Sequence, residues 1–164
     1  MPPTRQSGKQ QSNTAGTGFG SSSSSLKSSS KFTSLIQSLK GKSITKTKLR
    51  DTVFNRLLDD AVETPEEGKY YFFDYDPKFK SVLKEWDQFP LIKVLEVKGN
   101  IYLGANLHYI KSNARLSAIN NKKYPAETLH YYIPKNADDI FFEVSEEDIQ
   151  VLSQLPLEKF HRNK

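Results

Sequence analysis

The sequence predicts an α+β fold, a small curved antiparallel sheet or partly open barrel with short helices, preceded by a disordered N-terminal arm. Three observations predict it. Ten Phe, eight Tyr and one Trp in 164 residues are too many aromatics for a wholly disordered chain. From residue 69 onward, short aromatic and β-branched runs recur at irregular spacing with brief helical stripes between them, unlike the regular alternation of βαβ units. Residues 1–31 hold ten Ser and no acidic residue, too little apolar surface to offset the entropy of ordering them. The expected divisions are a disordered Ser-rich basic arm over 1–31, an amphipathic helical linker over 32–68 and a compact α+β domain over 69–164.

The elements follow in order. Phe32, Leu35, Ile36 and Leu39 make the stripe of a short helix stopped by Gly41, which either docks on its own domain or binds a partner. Leu49, Val53, Phe54, Leu57, Leu58 and Val62 continue that spacing and predict a helix over 46–62, ended by Thr64 and Pro65. The run 69–75, KYYFFDY, reads as a dense aromatic strand. Asp76 and Pro77 are placed as N-cap and first residue of a helix with Phe79, Val82, Leu83 and Trp86 on its stripe. After Pro90, LIKVLEV and IYLGANLHYI flank the turn Lys98-Gly99-Asn100 and predict a hairpin, with Gly104 marking a bulge or a close backbone approach. A short helix over 112–119, strands at 129–133 and 139–144, and a helix capped by Ser145 with Glu146, Glu147 and Asp148 in its first turn complete the chain.

Charge is unevenly spread. The first 50 residues carry nine Lys or Arg and no acid, residues 51–68 one base against six acids, residues 69–123 ten against five, and residues 124–164 four against eight. A basic arm on a mixed body fits a polyanionic partner through phosphate neutralisation, although a Ser-rich linker also needs charge to stay soluble. No apolar run reaches the roughly 18 residues of a bilayer span and no apolar signal core opens the chain, so a soluble, unsecreted protein without membrane contact is expected. The absence of Cys excludes disulfides, thiolate nucleophiles and Cys-ligated metal sites.

Signatures of chemistry are sparse. There is no G-x-S-x-G elbow, no P-loop and no dinucleotide fingerprint, and no catalytic residue, metal or cofactor is expected. His108 and His130 sit in matching Leu-His-Tyr triplets read as strands, where each is either a satisfied core histidine or a member of a site with Asp74 or Asp76. Asp74, Asp76, Glu85 and Asp87 are explained by capping and solvation, with a magnesium-dependent nuclease as the enzymatic alternative. Tyr70, Tyr71, Phe72 and Phe73 near Lys69, Lys78 and Lys80 serve either as core or as a platform for stacking unpaired bases.

Residues 72–116 carry a resemblance. Tyr75-Asp76-Pro77-Lys78, Trp86-Asp87-Gln88-Phe89-Pro90, Leu103-Gly104 and Asn106-Leu107-His108-Tyr109, with Arg115 downstream, resemble a segment of the DNA end protector or head-completion proteins of T-even-type contractile-tailed phages, especially marine ones. Ile110-Lys111-Ser112 departs from the leucine-proline-proline that often follows in that family, and the Ser-rich basic arm is foreign to it. The resemblance implies a non-enzymatic virion protein that binds DNA ends or seals the head or neck, assembled in the host bacterial cytoplasm. Its expected partners are other virion proteins, double-stranded DNA and further copies of itself.

On that reading the phosphate contacts fall to Lys31, Lys40, Lys42, Lys46, Lys48 and Arg50 near the arm, with Lys9 and Lys27 within it, and to Lys78, Lys80, Lys111 and Arg115 on the body. The alternatives are a baseplate or neck interaction module without DNA contact, and the nuclease.

Overall fold

Alternation along Tyr70-Tyr71-Phe72-Phe73 sets the architecture, because successive side chains of a strand point to opposite faces. Tyr70 and Phe72 enter one hydrophobic cluster while Tyr71 and Phe73 enter another, and all four are almost fully buried. Both faces of the sheet are therefore covered. The protein is seen here in a computed structural model, which describes residues 30–136 and 139–164. Lys31–Lys164 form one compact unit, and the expected disordered arm falls outside the described residues apart from its last two.

Two helices lead into the sheet, α1 over Thr33–Leu39 and α2 over Lys46–Leu57. The strands β1 (Ala61–Val62), β2 (Tyr70–Phe72), β3 (Glu85–Asp87), β4 (Leu91–Lys98) and β5 (Ile101–Asn106) follow. Helix α3 (Arg115–Asn121), strands β6 (Leu129–Tyr132) and β7 (Phe141–Val144), helix α4 (Glu146–Leu152) and strand β8 (Phe160–Arg162) close the chain. Six strands form one antiparallel sheet in the order β1-β7-β2-β4-β5-β6, while β3 and β8 pair apart from it.

The sheet curls without closing. Tyr102 on β5 and Phe141 on β7 lie three strand spacings apart in the order, about 14 Å on a flat sheet, yet their ring centroids are 5.4 Å apart. Phe73, Tyr75 and Tyr132 fill the same concave face at 5.1–5.9 Å. Two features of the β4–β5 hairpin accommodate this curvature. The register shifts between Val94 and Glu96, and opposite it Gly104 lies so close that a Cβ would come within 2.8 Å of Ile92 Cδ1 and 3.3 Å of Tyr132 Cε2. The expected bulge thus lies on the partner strand and the close approach at Gly104 itself.

The other face is covered by helices. Phe32 and Leu35 from α1 and its cap, and Leu49, Val53 and Leu57 from α2, share a cluster with Tyr70, Leu91, Ile149 and Leu152. Helix α1 therefore docks on its own domain, and residues 32–68 are built into the core rather than standing apart as a linker.

Three expected elements differ. The helix over 46–62 ends at Leu57, Leu58 is 57% exposed, and Ala61 and Val62 instead pair with Phe142 and Phe141. The helix expected after Asp76 is replaced by a bridge between Pro77 and Pro134, a 3₁₀ turn at Lys80–Val82 and strand β3. Of its stripe Phe79 and Val82 stay in solvent, 54% and 78% exposed, while Trp86 packs against the core from β3, and the Asp76 carboxylate pairs with Lys80 and Lys135 instead of capping. Strand β5 stops at Asn106, so Leu107–Tyr109 is a 3₁₀ turn and His108 is not a strand residue.

Candidate nucleic-acid interface

The lysines expected to meet phosphate differ sharply in situation. Lys40, Lys42 and Lys48 are exposed around α1 and α2 and hold no ion pair with any described residue. Lys31 pairs with Asp60, Lys46 donates to Glu158 Oε1 at 3.1 Å, and Lys80 pairs with Asp76 at 2.5 Å. Lys78 is exposed beside the Phe79 ring at 5.6 Å, and Lys111 is exposed at the mouth of a cleft. Lys9 and Lys27 lie outside the described residues.

Two arginines are corrected. Arg50 is 6% exposed, with its guanidinium 4.7 Å over the Phe89 ring and donating to Thr47 Oγ1 at 3.3 Å. Arg115 is 7% exposed and donates from Nε to Ile110 O and from Nη1 to Ser153 O, both at 2.9 Å, and from Nη2 to His108 O at 3.4 Å. Both serve the fold, because a guanidinium committed to buried partners is not available to a phosphate backbone passing over the surface. The proposed aromatic platform is likewise core, since Tyr70, Tyr71, Phe72 and Phe73 have no exposed ring face for a base.

The buried polar centre of the molecule is Asp87. Its Oδ1 accepts from the backbone N–H of Phe89 at 3.1 Å and of Lys159 at 3.0 Å, and its Oδ2 accepts from Asn106 Nδ2 at 3.2 Å and His108 Nδ1 at 2.6 Å. Asn106 Oδ1 in turn accepts from the His108 backbone N–H at 2.9 Å. Burial works to raise the Asp87 carboxyl pKa, but the hydrogen bond and charge of His108 and the two backbone donors outweigh it and hold the pKa below the ordinary value of 3.8. As an acceptor only, the carboxylate fixes the proton of His108 on Nδ1. Solvation, the expected role of Asp87, is therefore overturned, while its turn-capping bond to Phe89 is present.

His108 and His130 do not pair with each other, and neither joins Asp74 or Asp76. His130 on β6 packs its ring on Tyr109 at 4.5 Å. Burial, countered in part by a hydrogen bond to the Glu127 backbone, lowers its pKa below 6.5 and keeps it neutral at pH 7. Asp76 is exposed between two lysines and Glu85 pairs with Arg162 at 2.5 Å. Among the described residues no group of three or more His, Cys, Asp or Glu side chains is placed to hold a metal ion.

Sequence reasoning missed the C-terminal contribution to this centre. Lys159 caps Asp87, Ser153 accepts from Arg115, and β8 pairs with β3 in the register Glu85–Arg162, Trp86–His161 and Asp87–Phe160. The signal for it was slight, a three-residue Phe-His-Arg run after Pro156.

A comparison with protein-family models matches residues 24–128 to the phage T4 terminal DNA protecting protein. That span takes in both leading helices, the hairpin, α3, Asp87 and His108, while β6, β7, α4 and β8 lie beyond it. No curated protein and no solved structure matched the chain. The match covers well over half of the chain and includes the residues that carried the resemblance, so the chain belongs to the family of the phage T4 terminal DNA protecting protein, a family of DNA-end protecting structural proteins.

Proposed function

We propose that this protein binds the ends of linear duplex DNA and shields them without catalysis, as a virion component that seals the head or neck after assembly in the bacterial cytoplasm. The observation that carries the reading is the family match over residues 24–128. The exposed lysines support it. Lys40, Lys42 and Lys48 together with Lys78 and Lys111 offer sequence-blind phosphate contacts, Lys31 and Lys80 join them by exchanging carboxylate partners for phosphate, and Lys46 lies beside them while paired with Glu158. Arg50 and Arg115, buried and committed to partners within the fold, leave the set of backbone contacts.

A second reading, a neck or baseplate module held by protein contacts alone, draws on Leu58, Phe79 and Val82, large apolar side chains more than half exposed. One experiment separates the readings. The full chain is mixed with blunt linear and closed circular duplex in magnesium, and an exonuclease is then added. End protection predicts tighter binding to the linear form and a lag before digestion. Equal or absent binding to both forms rejects it in favour of protein docking, and cleavage without exonuclease that is lost on Asp74→Ala or Asp76→Ala revives the nuclease.

A further inference from the structure

We infer that the cleft beside the Asp87–His108 pair holds a terminal phosphomonoester, the group that marks the end of a DNA strand and occurs at no internal position. The inference rests on the end-binding reading above and deepens it by naming what is recognised. The cleft, about 450 Å³, is lined by residues including His108, Lys111, Ser112, Arg115 and Glu158. Two side-chain atoms of these residues are buried and have no hydrogen-bond partner, His108 Nε2 and Glu158 Oε2. Buried polar atoms are almost always satisfied, and each exception calls for a physical cause.

Each of these side chains is held from its other end. Asp87 fixes His108 through Nδ1, and Lys46 fixes Glu158 through Oε1. The surrounding charge favours an anion. Lys111 and Arg115 are cationic, Lys46 balances Glu158, and the charge of Asp87 is absorbed by four donors. Arg115 spends three of its five N–H donors on carbonyl oxygens, which leaves two.

Glu158 decides which anion. Its carboxylate is held below the ordinary pKa of 4.5, since burial is outweighed by its own backbone N–H, Lys46 and His108, so Oε2 can only accept. A phosphodiester has no proton to give it and would meet it as a second negative charge. A phosphomonoester, whose second ionisation lies near pH 6, retains a P–OH at modest cost. It accepts from Lys111, the Ser112 hydroxyl and Arg115 beside the His108 ring, which Asp87 holds through Nδ1, and it donates to Glu158 Oε2. Several donors with a single charged acceptor therefore select a chain end over the backbone. Glu158 lies beyond residues 24–128, which match the family, so the family match does not extend to this half of the cleft.

The test measures equilibrium binding of the full chain to blunt duplexes that end in 5′-phosphate, 3′-phosphate or hydroxyl only, and to closed circular duplex, with inorganic phosphate as competitor. One phosphorylated end is expected to bind about tenfold tighter than hydroxyl ends, the range of one charge-assisted hydrogen bond. Whichever of the 5′ and 3′ forms shows the preference identifies the strand end. Millimolar inorganic phosphate should erase the preference. Glu158→Gln should abolish it while leaving the melting temperature within a degree or two and the affinity for hydroxyl ends within a few-fold, and Lys111→Ala should abolish it as well, on top of the general loss of affinity expected from its place among the phosphate contacts. Equal affinity for phosphorylated and hydroxyl ends overturns the inference and leaves end binding standing, as does a preference that survives in both variants. Equal affinity for linear and circular duplex overturns the reading on which the inference rests.

Discussion

A charge taken fully out of water must be compensated by donors, and Asp87 has four of them supplied from three stretches of chain. Asp87→Asn leaves His108 and the two backbone donors without their acceptor charge, and the expected cost is about 3–5 kcal/mol in urea unfolding at pH 7. The pH dependence has a definite sign. The folded pKa of Asp87 is depressed, so the unfolded chain binds more protons in acid; the stabilisation is complete above 3.8 and disappears as the pH falls below it. Denaturation midpoints of the Asn variant should lack that part of the acid decline, and an acid decline identical to wild type would show that Asp87 is not the group responsible. Both Asp87 and His108 stand out in the sequence, but not as a pair. They are 21 residues apart, and what joins them is the abrupt end of β5 at Asn106, a change of backbone direction that the apolar run through Ile110 conceals.

Elements were legible where local chemistry and burial agree. Ser145 accepts from the Asp148 N–H as a capping residue should, and Gly41, Gly68 and Gly99 take the left-handed backbone of their turns. The stretch 76–87 was illegible because the partner of its end, Phe160–Arg162 against Glu85–Asp87, lies more than 70 residues away, and the helical spacing of Phe79 and Val82, both exposed, costs nothing to discard. The β1 strand shows the same override, as two residues of an apparently continuous helix are captured by the edge of β7. One element carries a correctable strain. Helix α3 ends at Lys122 with φ 53°, where its N–H reaches back to Ala118 and Ile119, and glycine occupies that conformation without a Cβ penalty. Lys122→Gly is expected to raise stability by about 0.5–1 kcal/mol, the left-handed penalty less the added entropy of the unfolded chain. A lower urea midpoint in that variant would mean that the Lys122 side chain makes a compensating contact.

At the scale of the whole molecule, net charge and usable charge are different quantities. The +5 of the chain counts Arg50 and Arg115 equally with Lys40, Lys42 and Lys48, yet only the lysines face solvent. Counterion release is a property of the charges that reach phosphate, so the two sets should separate in a salt titration of duplex binding. Replacing Lys40, Lys42 and Lys48 together with Ala should flatten the plot of log affinity against log salt by about 0.9 for each phosphate that is no longer neutralised, and leave the melting temperature within a degree or two, since surface substitutions of this kind cost under about 0.5 kcal/mol. Arg115→Ala, tested on duplex with hydroxyl ends only, should do the reverse, lowering the melting temperature by stranding the carbonyls of His108, Ile110 and Ser153 while the slope stays put. A slope unmoved in the triple lysine variant would transfer the phosphate contacts from the helical face to Lys78, Lys80 and Lys111 on the body. The two signatures are independent because a buried guanidinium stabilises the folded chain through hydrogen bonds that salt screens little, whereas an exposed ammonium acts on DNA through a field that salt screens within about 10 Å at 0.1 M.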